Sequence, residues 1–367
     1  MDRPSLTLGI EEEYLVVDRD SRDLVAEPDP AFFEACRAAL GEQVAPEFLQ
    51  CQIEVGTQPH RTVSDAVAEL RALRKAVAET AAGHGYGVIA ASTHPFADWR
   101  DQSHTRKERY DGLWSDIGAP AWRMLICGMH IHAGVEDDDQ RIDLMNQAAY
   151  FLPHLLALSC SSPFWEGTDT RLSSYRLTVF DALPRTGLPD QLTSYSEYRR
   201  LVEHLVRAGC IEDGTKVWWD VRPSAKFPTL EQRVTDVCPR LADVAALAAL
   251  YQSLLAYLHR LRAHNQRWRL YPSTLVAENR WLAQRHGAEG KLIDHGLEAQ
   301  VPVAELVEEL VEMLGDDAEA LGCRHELNGL RRIVQGGTSA ARQRARHAEV
   351  LAGGGDGPTA LRAVVDD

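Results

Sequence analysis

Residues 6–17, LTLGIEEEYLVV, set three consecutive glutamates inside an otherwise apolar run. Their β-branched and aromatic neighbours predict a buried strand through Asp18, followed by a turn over DRDSRD. PEFLQCQIEVGTQP predicts a second strand that stops at Gly56 and Pro59. From Ser64, the expected N-cap, SDAVAELRALRKAVAETAAGHG carries helical spacing and a glycine stop. YGVIAASTHP and RMLICGMHIHAGV (123–135) predict two more strands, and EDDDQ opens a helix over RIDLMNQAAYFLPHLLALSCSSP. The polar GTDTRLSSYRLTVFDALPRTGLP predicts a long functional loop. KVWWDVRPSAKFPTLEQRVTDV predicts two strands joined at Lys226–Pro228, and a long helix follows with Pro239 near its start. Beyond about residue 302 the pattern is helical and charged.

Strands and helices do not alternate one for one. The expectation is an α+β fold whose sheet is largely antiparallel, not a doubly wound one. No linker divides the chain, so residues 1–350 are expected as a single catalytic domain. AGGGDGPT (352–359) predicts a flexible tail over 351–367.

Alternation places side chains i and i+2 on one face of a strand. Glu11 and Glu13 then share a face, and Glu12 points away as a solvated or back-face ion-pair residue. Gln50, Gln52 and Glu54 share a face, with Glu47 just before them; so do His130 and His132, Asp220 and Arg222, and Glu231 and Arg233. Polar pairs recurring on so many apolar segments predict one polar, concave sheet face. Carboxylates with imidazole suit a hard divalent cation, magnesium or manganese, which can bridge nucleotide phosphates. Arginine forks beside them fit phosphate or carboxylate oxygens. No GxxxxGK[ST] segment occurs, so metal and arginine would do the work of a P-loop. The charges of RKERYD and EDDDQ are expected to be solvated faces.

The 367 residues are 45% hydrophobic with a formal charge of −15, which disfavours nucleic acid and anionic membranes as partners but permits a small anion beside bound magnesium. Seven scattered cysteines without a CxxC pair are expected as reduced thiols. No signal peptide or membrane-spanning run is expected, and the predicted location is cytoplasmic.

The segments GIEEEY, QIEVGT, CGMHIHAGV, SSYRLTVFDALPRTGLP, WWDVRPS, TLEQRVTD and ENRWLAQRHG resemble, in this order, the type 2 glutamate–cysteine ligases. These are carboxylate–amine ligases related to glutamine synthetase and the guanidino kinases, and the resemblance runs from about Leu6 to Asp294. It implies a curved antiparallel sheet with helices packed on its outer face. It also implies an ATP-dependent ligase that makes an amide through an acyl phosphate, joining the glutamate γ-carboxylate to cysteine. Other amine or acid substrates, or a guanidino-kinase-like phosphotransferase, are the alternatives. Implied metal ligands are Glu11, Glu13, Glu47, Glu54, His130 and Glu231. The resemblance implies catalytic roles for Arg233 and Arg176, and ATP contacts from Arg222, Arg233, Arg185 and His132. Asp236 completes the E-x-R-x-x-D element. The implied cofactors are ATP and magnesium or manganese, the partners small molecules, with a homo-oligomer open.

Overall fold

A computed structural model describes residues 3–366. Its centre is a seven-stranded antiparallel sheet built from β1 (Leu8–Asp18), β2 (Val44–Pro46), β3 (Gln52–Gly56), β4 (Tyr86–Ile89), β5 (Met129–Gly134), β6 (Val221–Pro223) and β7 (Thr229–Gln232). The order is β6–β7–β5–β1–β3–β2, and β4 pairs with the far end of β1. The antiparallel α+β expectation holds, because hairpins and helical excursions alike return each strand antiparallel to its neighbour.

Register aligns the polar face. Glu11 lies opposite His130, Glu13 opposite Glu54, Glu231 opposite His132, and Arg222 opposite Glu231. Glu12, one residue out of phase, sits between Val55 and Met129 on the back face. That face is covered by the helices Val63–Gly83 and Leu241–Ala263, so the core lies between sheet and helices. Leu70, Val77, Leu247, Leu254 and Leu258 are among its fully buried side chains, each contributing roughly 1.5–3 kcal/mol by burial.

Several boundaries differ from the sequence reading. The first long helix is capped by Thr62, whose side chain accepts from the Asp65 amide; Ser64 falls inside the first turn. Residues 47–51 form no continuous strand: they pass through a bend, an isolated bridge of Leu49 to His104 and a turn at 50–51. The expected loop around Arg176 contains a short helix, Arg176–Phe180. The helix Leu241–Ala263 is, by length and composition, apolar enough to cross a membrane, contrary to expectation; most of it is buried inside the protein as a core helix. The segment expected as a flexible tail holds the helix Gly357–Asp366, whose Leu361 and Val364 bury against Phe164 while Asp366 pairs with Arg22 at 2.8 Å. Its apolar spacing outweighs the glycines that precede it.

Candidate active site

The open face of the sheet forms the floor of a cavity of about 480 Å³. Two groups of ligand atoms face it, each within 4.8 Å of one another: Glu13, Glu47 and Glu54, and Glu11, His132 and Glu231.

The first group is three carboxylates, and the Arg176 and Arg233 charges that act on Glu13 do not outweigh its burial. Gly128 N–H donates to Glu13 Oε2 at 2.7 Å, and Glu47 accepts from the Phe48 amide at 2.7 Å. Burial and then the Glu47 charge push the Glu13 carboxyl up to about 8. Burial and then Glu47, Glu11 and Glu13 push Glu54 well above the usual carboxylate range. Glu13 and Glu54 hold protons because burial and the neighbouring carboxylates outweigh the nearby arginines, and the oxygen-only donor set of the trio fits magnesium or manganese.

The second group is compensated. Burial raises Glu11, but the adjoining imidazoles of His130 (3.4 Å) and His132 (3.5 Å) outweigh it and hold the carboxyl well below its ordinary value. Glu231 is 3% exposed, and the charges of Arg233 and Arg222 overcome its burial to hold it well below as well. His132 Nδ1 is fixed by Thr229 Oγ1 at 2.9 Å, which leaves Nε2 buried with no hydrogen-bond partner. Burial lowers His132, yet Glu11 and Glu231 carry it above its ordinary value. Burial and the neighbouring Arg233 push His130 down to about 4. The imidazole gathered with the carboxylates is His132, where the resemblance implied His130 as ligand and His132 as an ATP contact. His130 instead lies between Glu11 and Arg233, 3.5 Å from Arg233 Nη1.

The arginines divide by commitment. Arg222 forks onto Glu231 at 2.9 and 3.2 Å and donates to the Thr215 and Val217 carbonyls at 3.0 and 2.6 Å. At most one of its N–H groups is left for a ligand, so it chiefly holds Glu231. Arg233 pairs with Glu231 through Nη1, and its buried Nε has no partner. Arg176 is buried, lines the cavity, donates to the Arg233 carbonyl at 3.2 Å, and leaves Nε unpaired. Asp236 is an anchor, not a ligand: it accepts from Ser161 N (2.9 Å), Ser162 Oγ (2.8 Å) and Ser174 Oγ (2.9 Å). Arg185 does not line the cavity; it donates to the Lys216 carbonyl at 3.0 Å and stacks over Trp218. Asp220 is turned into a buried bridge with Arg280, which also holds Asp181.

Glu12 is a buried ion-pair residue. Arg74 reaches its two oxygens at 2.7 and 2.8 Å, and Tyr14 O–H donates to it at 2.5 Å. Within RKERYD, Lys107 and Tyr110 line the cavity instead of merely facing solvent, while the side chains of Glu108, Arg109 and Asp111 lie outside the described residues.

The profile of a family described as glutamate–cysteine ligase family 2 matches residues 7–357. The chain belongs to that family. A Rhodospirillum rubrum protein provisionally named glutamate–cysteine ligase 2 is 55% identical over 370 residues, covering 100% of this chain and 95% of that protein. A Ruegeria pomeroyi protein of the same name is 57% identical over 359 residues, covering 98% and 92%. Among solved structures, the Francisella tularensis glutamate–cysteine ligase in complex with AMP superposes with a TM-score of 0.71 at 15% identity, covering 100% of this chain and 89% of that one. At that identity the likeness speaks for the fold. As a member of this ligase family the chain is an enzyme that forms C–N bonds.

Gly128 is a site residue that sequence reasoning passed over. A Cβ there would overlap the Arg176 guanidinium, lying 3.0 Å from Cζ, and would come within 3.1 Å of His130 Nε2. The signal was present as the G of G-x-H, but only the packed structure says what it makes room for. Thr215 and Phe227, which also line the cavity, carried no such mark.

Proposed function

We propose that this ligase uses ATP and magnesium to activate a carboxylate as an acyl phosphate, which an amine then attacks. The observation that carries this reading is the pairing of two ligand clusters, one of carboxylates alone and one with His132, with Arg233 and Arg176 beside them. Glu13, Glu47 and Glu54 would hold one divalent ion, and Glu11, His132 and Glu231 another. When bound, such ions neutralise phosphate oxygens.

A carboxylate is a poor acyl donor, since its leaving group would be an oxide. Attack of a carboxylate oxygen on the γ-phosphorus releases ADP. The amine nitrogen then bonds to the acyl carbon, phosphate departs, and the amine gives up a proton to leave an amide. In this scheme Arg233 and Arg176 stabilise charge on the transferring phosphoryl group with their uncommitted N–H groups. Gly128 keeps the Arg176 guanidinium beside Glu13, and Arg222 holds Glu231 in place for its metal. No cysteine nucleophile is needed. Cys127 and Cys51 are fully buried thiols, with burial raising both.

Glutamate, through its γ-carboxylate, and cysteine are the proposed substrates, on the strength of the family. A screen of amino-acid pairs for magnesium-dependent ADP release, with mass spectrometry of the product, tests this. Release that needs both an acid and an amine and yields the amide is expected. ADP formed with a guanidine alone would replace ligation with phosphotransfer, and turnover without ATP would replace it with metal-dependent hydrolysis.

A further inference from the structure

We infer that the end of the active-site cavity beyond Glu47 holds the side chain of the attacking amine, and that this side chain is a bulky apolar one. The inference rests on the ligase reading above and names the class of amine it takes.

The two ends of the cavity differ in chemistry. Around Glu231 the lining is polar and basic: Arg222 and Arg233 pair with that carboxylate, and Thr215, Ser224 and Lys226 add further polar groups. Beyond Glu47 the wall is apolar. Phe48 and Ile126 form it together with Tyr110, Ile117, Ala121 and Met124, from the segment that carries the helices Glu108–Ile117 and Ala119–Trp122. Local bonds fix its place against the carboxylates. Glu47 accepts from the Phe48 amide, and Thr105 Oγ1 donates to the Glu47 carbonyl at 2.5 Å. The Phe48 and Tyr110 rings meet edge to face with centroids 5.7 Å apart.

Polar groups at this end are committed to the main chain. Tyr110 O–H donates to the Pro46 carbonyl at 3.2 Å. Gln52 Nε2 donates to the Ile126 carbonyl at 2.6 Å, and Gln52 Oε1 accepts from the Leu49 amide at 3.2 Å. Lys107, whose ammonium lies 5.6 Å from the centre of the Tyr110 ring, is exposed at the rim.

Three ligands share the cavity in the ligase reading, and one of them suits this wall. Glutamate carries a second carboxylate and an ammonium group, which need partners that the wall does not offer. The polyphosphate of ATP is drawn toward Arg222 and Arg233 and takes its base to that end. The amine remains. It approaches as a cation, and the carboxylates of Glu13, Glu47 and Glu54 outnumber the charges of the one divalent ion proposed there. Its side chain then lies against Phe48, Ile126 and Met124. Burial there rewards apolar area, so a side chain the size of leucine or methionine fits best, and cysteine covers the wall only in part.

Comparing amide formation from glutamate, ATP and magnesium across leucine, methionine, cysteine, alanine and serine tests the inference. Leucine and methionine should exceed alanine in kcat/KM by about tenfold or more, the worth of their extra buried carbons, and should exceed cysteine and serine as well. Met124→Gln keeps the shape of the wall but makes it polar. It should reduce the preference for leucine over alanine several-fold, through a higher KM for leucine with the KM for ATP little changed. Alanine or serine used as well as leucine by the unaltered enzyme would overturn the inference and leave the ligase reading in place. A higher KM for ATP in Met124→Gln, with that for leucine unmoved, would give the wall to the adenine and overturn it too. No amide from any of these amines would remove the ligase reading, and the inference with it.

Discussion

Replacing Glu12 by glutamine removes the charge from a carboxylate that is 0% exposed and strands Arg74, whose side chain is 16% exposed. The amide oxygen can still accept from one Arg74 nitrogen. In either orientation the amide nitrogen then faces an Arg74 nitrogen, which can only donate, although the Tyr14 hydroxyl beside one of the two positions can turn to accept. Breaking a buried pair by removing one partner costs about 3–5 kcal/mol, because the remaining charge stays desolvated. Urea unfolding should register a loss of that size, while kcat per folded molecule stays near wild type because Glu12 points away from the cavity. Glu12→Leu combined with Arg74→Met should recover much of the loss, since neither charge is then left alone. Glu11→Gln should abolish ligation, with a smaller loss of stability because its side chain is 32% exposed to the cavity. A Glu12→Gln loss below about 1 kcal/mol, the worth of an exposed pair, would refute the reasoning.

Glu13 gives a pH dependence. Its folded carboxyl titrates at about 8, above the ordinary value of 4.5, so between these values the folded state holds a proton that the unfolded state has lost. Metal-free stability should therefore fall as pH rises from about 4.5 to 8, by up to about 1.4 kcal/mol per unit for this group, and saturating magnesium should flatten the slope. A slope of the opposite sign in chelator-treated protein would contradict the assignment. Gly128→Ala should displace Arg176 and lower kcat/KM on the order of 100-fold with an intact circular-dichroism spectrum; near-normal turnover would remove Arg176 from the chemistry. His132→Gln should weaken divalent-metal binding measured by calorimetry by about tenfold or more, and His130→Gln should weaken it less. The opposite order would restore His130 as the ligand.

The polar face was legible in sequence because strand alternation is a strict period-two rule. It separated Glu12 from Glu11 and Glu13, and register then brought Glu54, His132 and Glu231 to them as alternation required. Alternation fails at strand ends: Asp220 stands just outside β6 and turns to Arg280, and Gln50 lies in a turn. It also cannot say which of two histidines on one face meets a given carboxylate, since that depends on side-chain reach across the strand pair. Arg185 illustrates the limit of a motif, because its neighbours reach the cavity while a left-handed backbone conformation (φ 62°) accompanies its turn onto Trp218. The tail was misread because glycines near 353–357 hid an amphipathic helix after them. The burial of Glu12 could not be seen either, since its partner Arg74 comes from a helix 62 residues away.

The central claim, carboxylate activation by phosphoryl transfer, is tested most directly by isotope transfer. The enzyme is supplied with magnesium, ATP, cysteine and glutamate labelled with ¹⁸O in its γ-carboxylate, and the released phosphate is analysed by mass spectrometry. An acyl phosphate predicts ADP, the amide, and phosphate carrying one ¹⁸O per amide formed. Amide formation with unlabelled phosphate, or with AMP in place of ADP, would contradict the account.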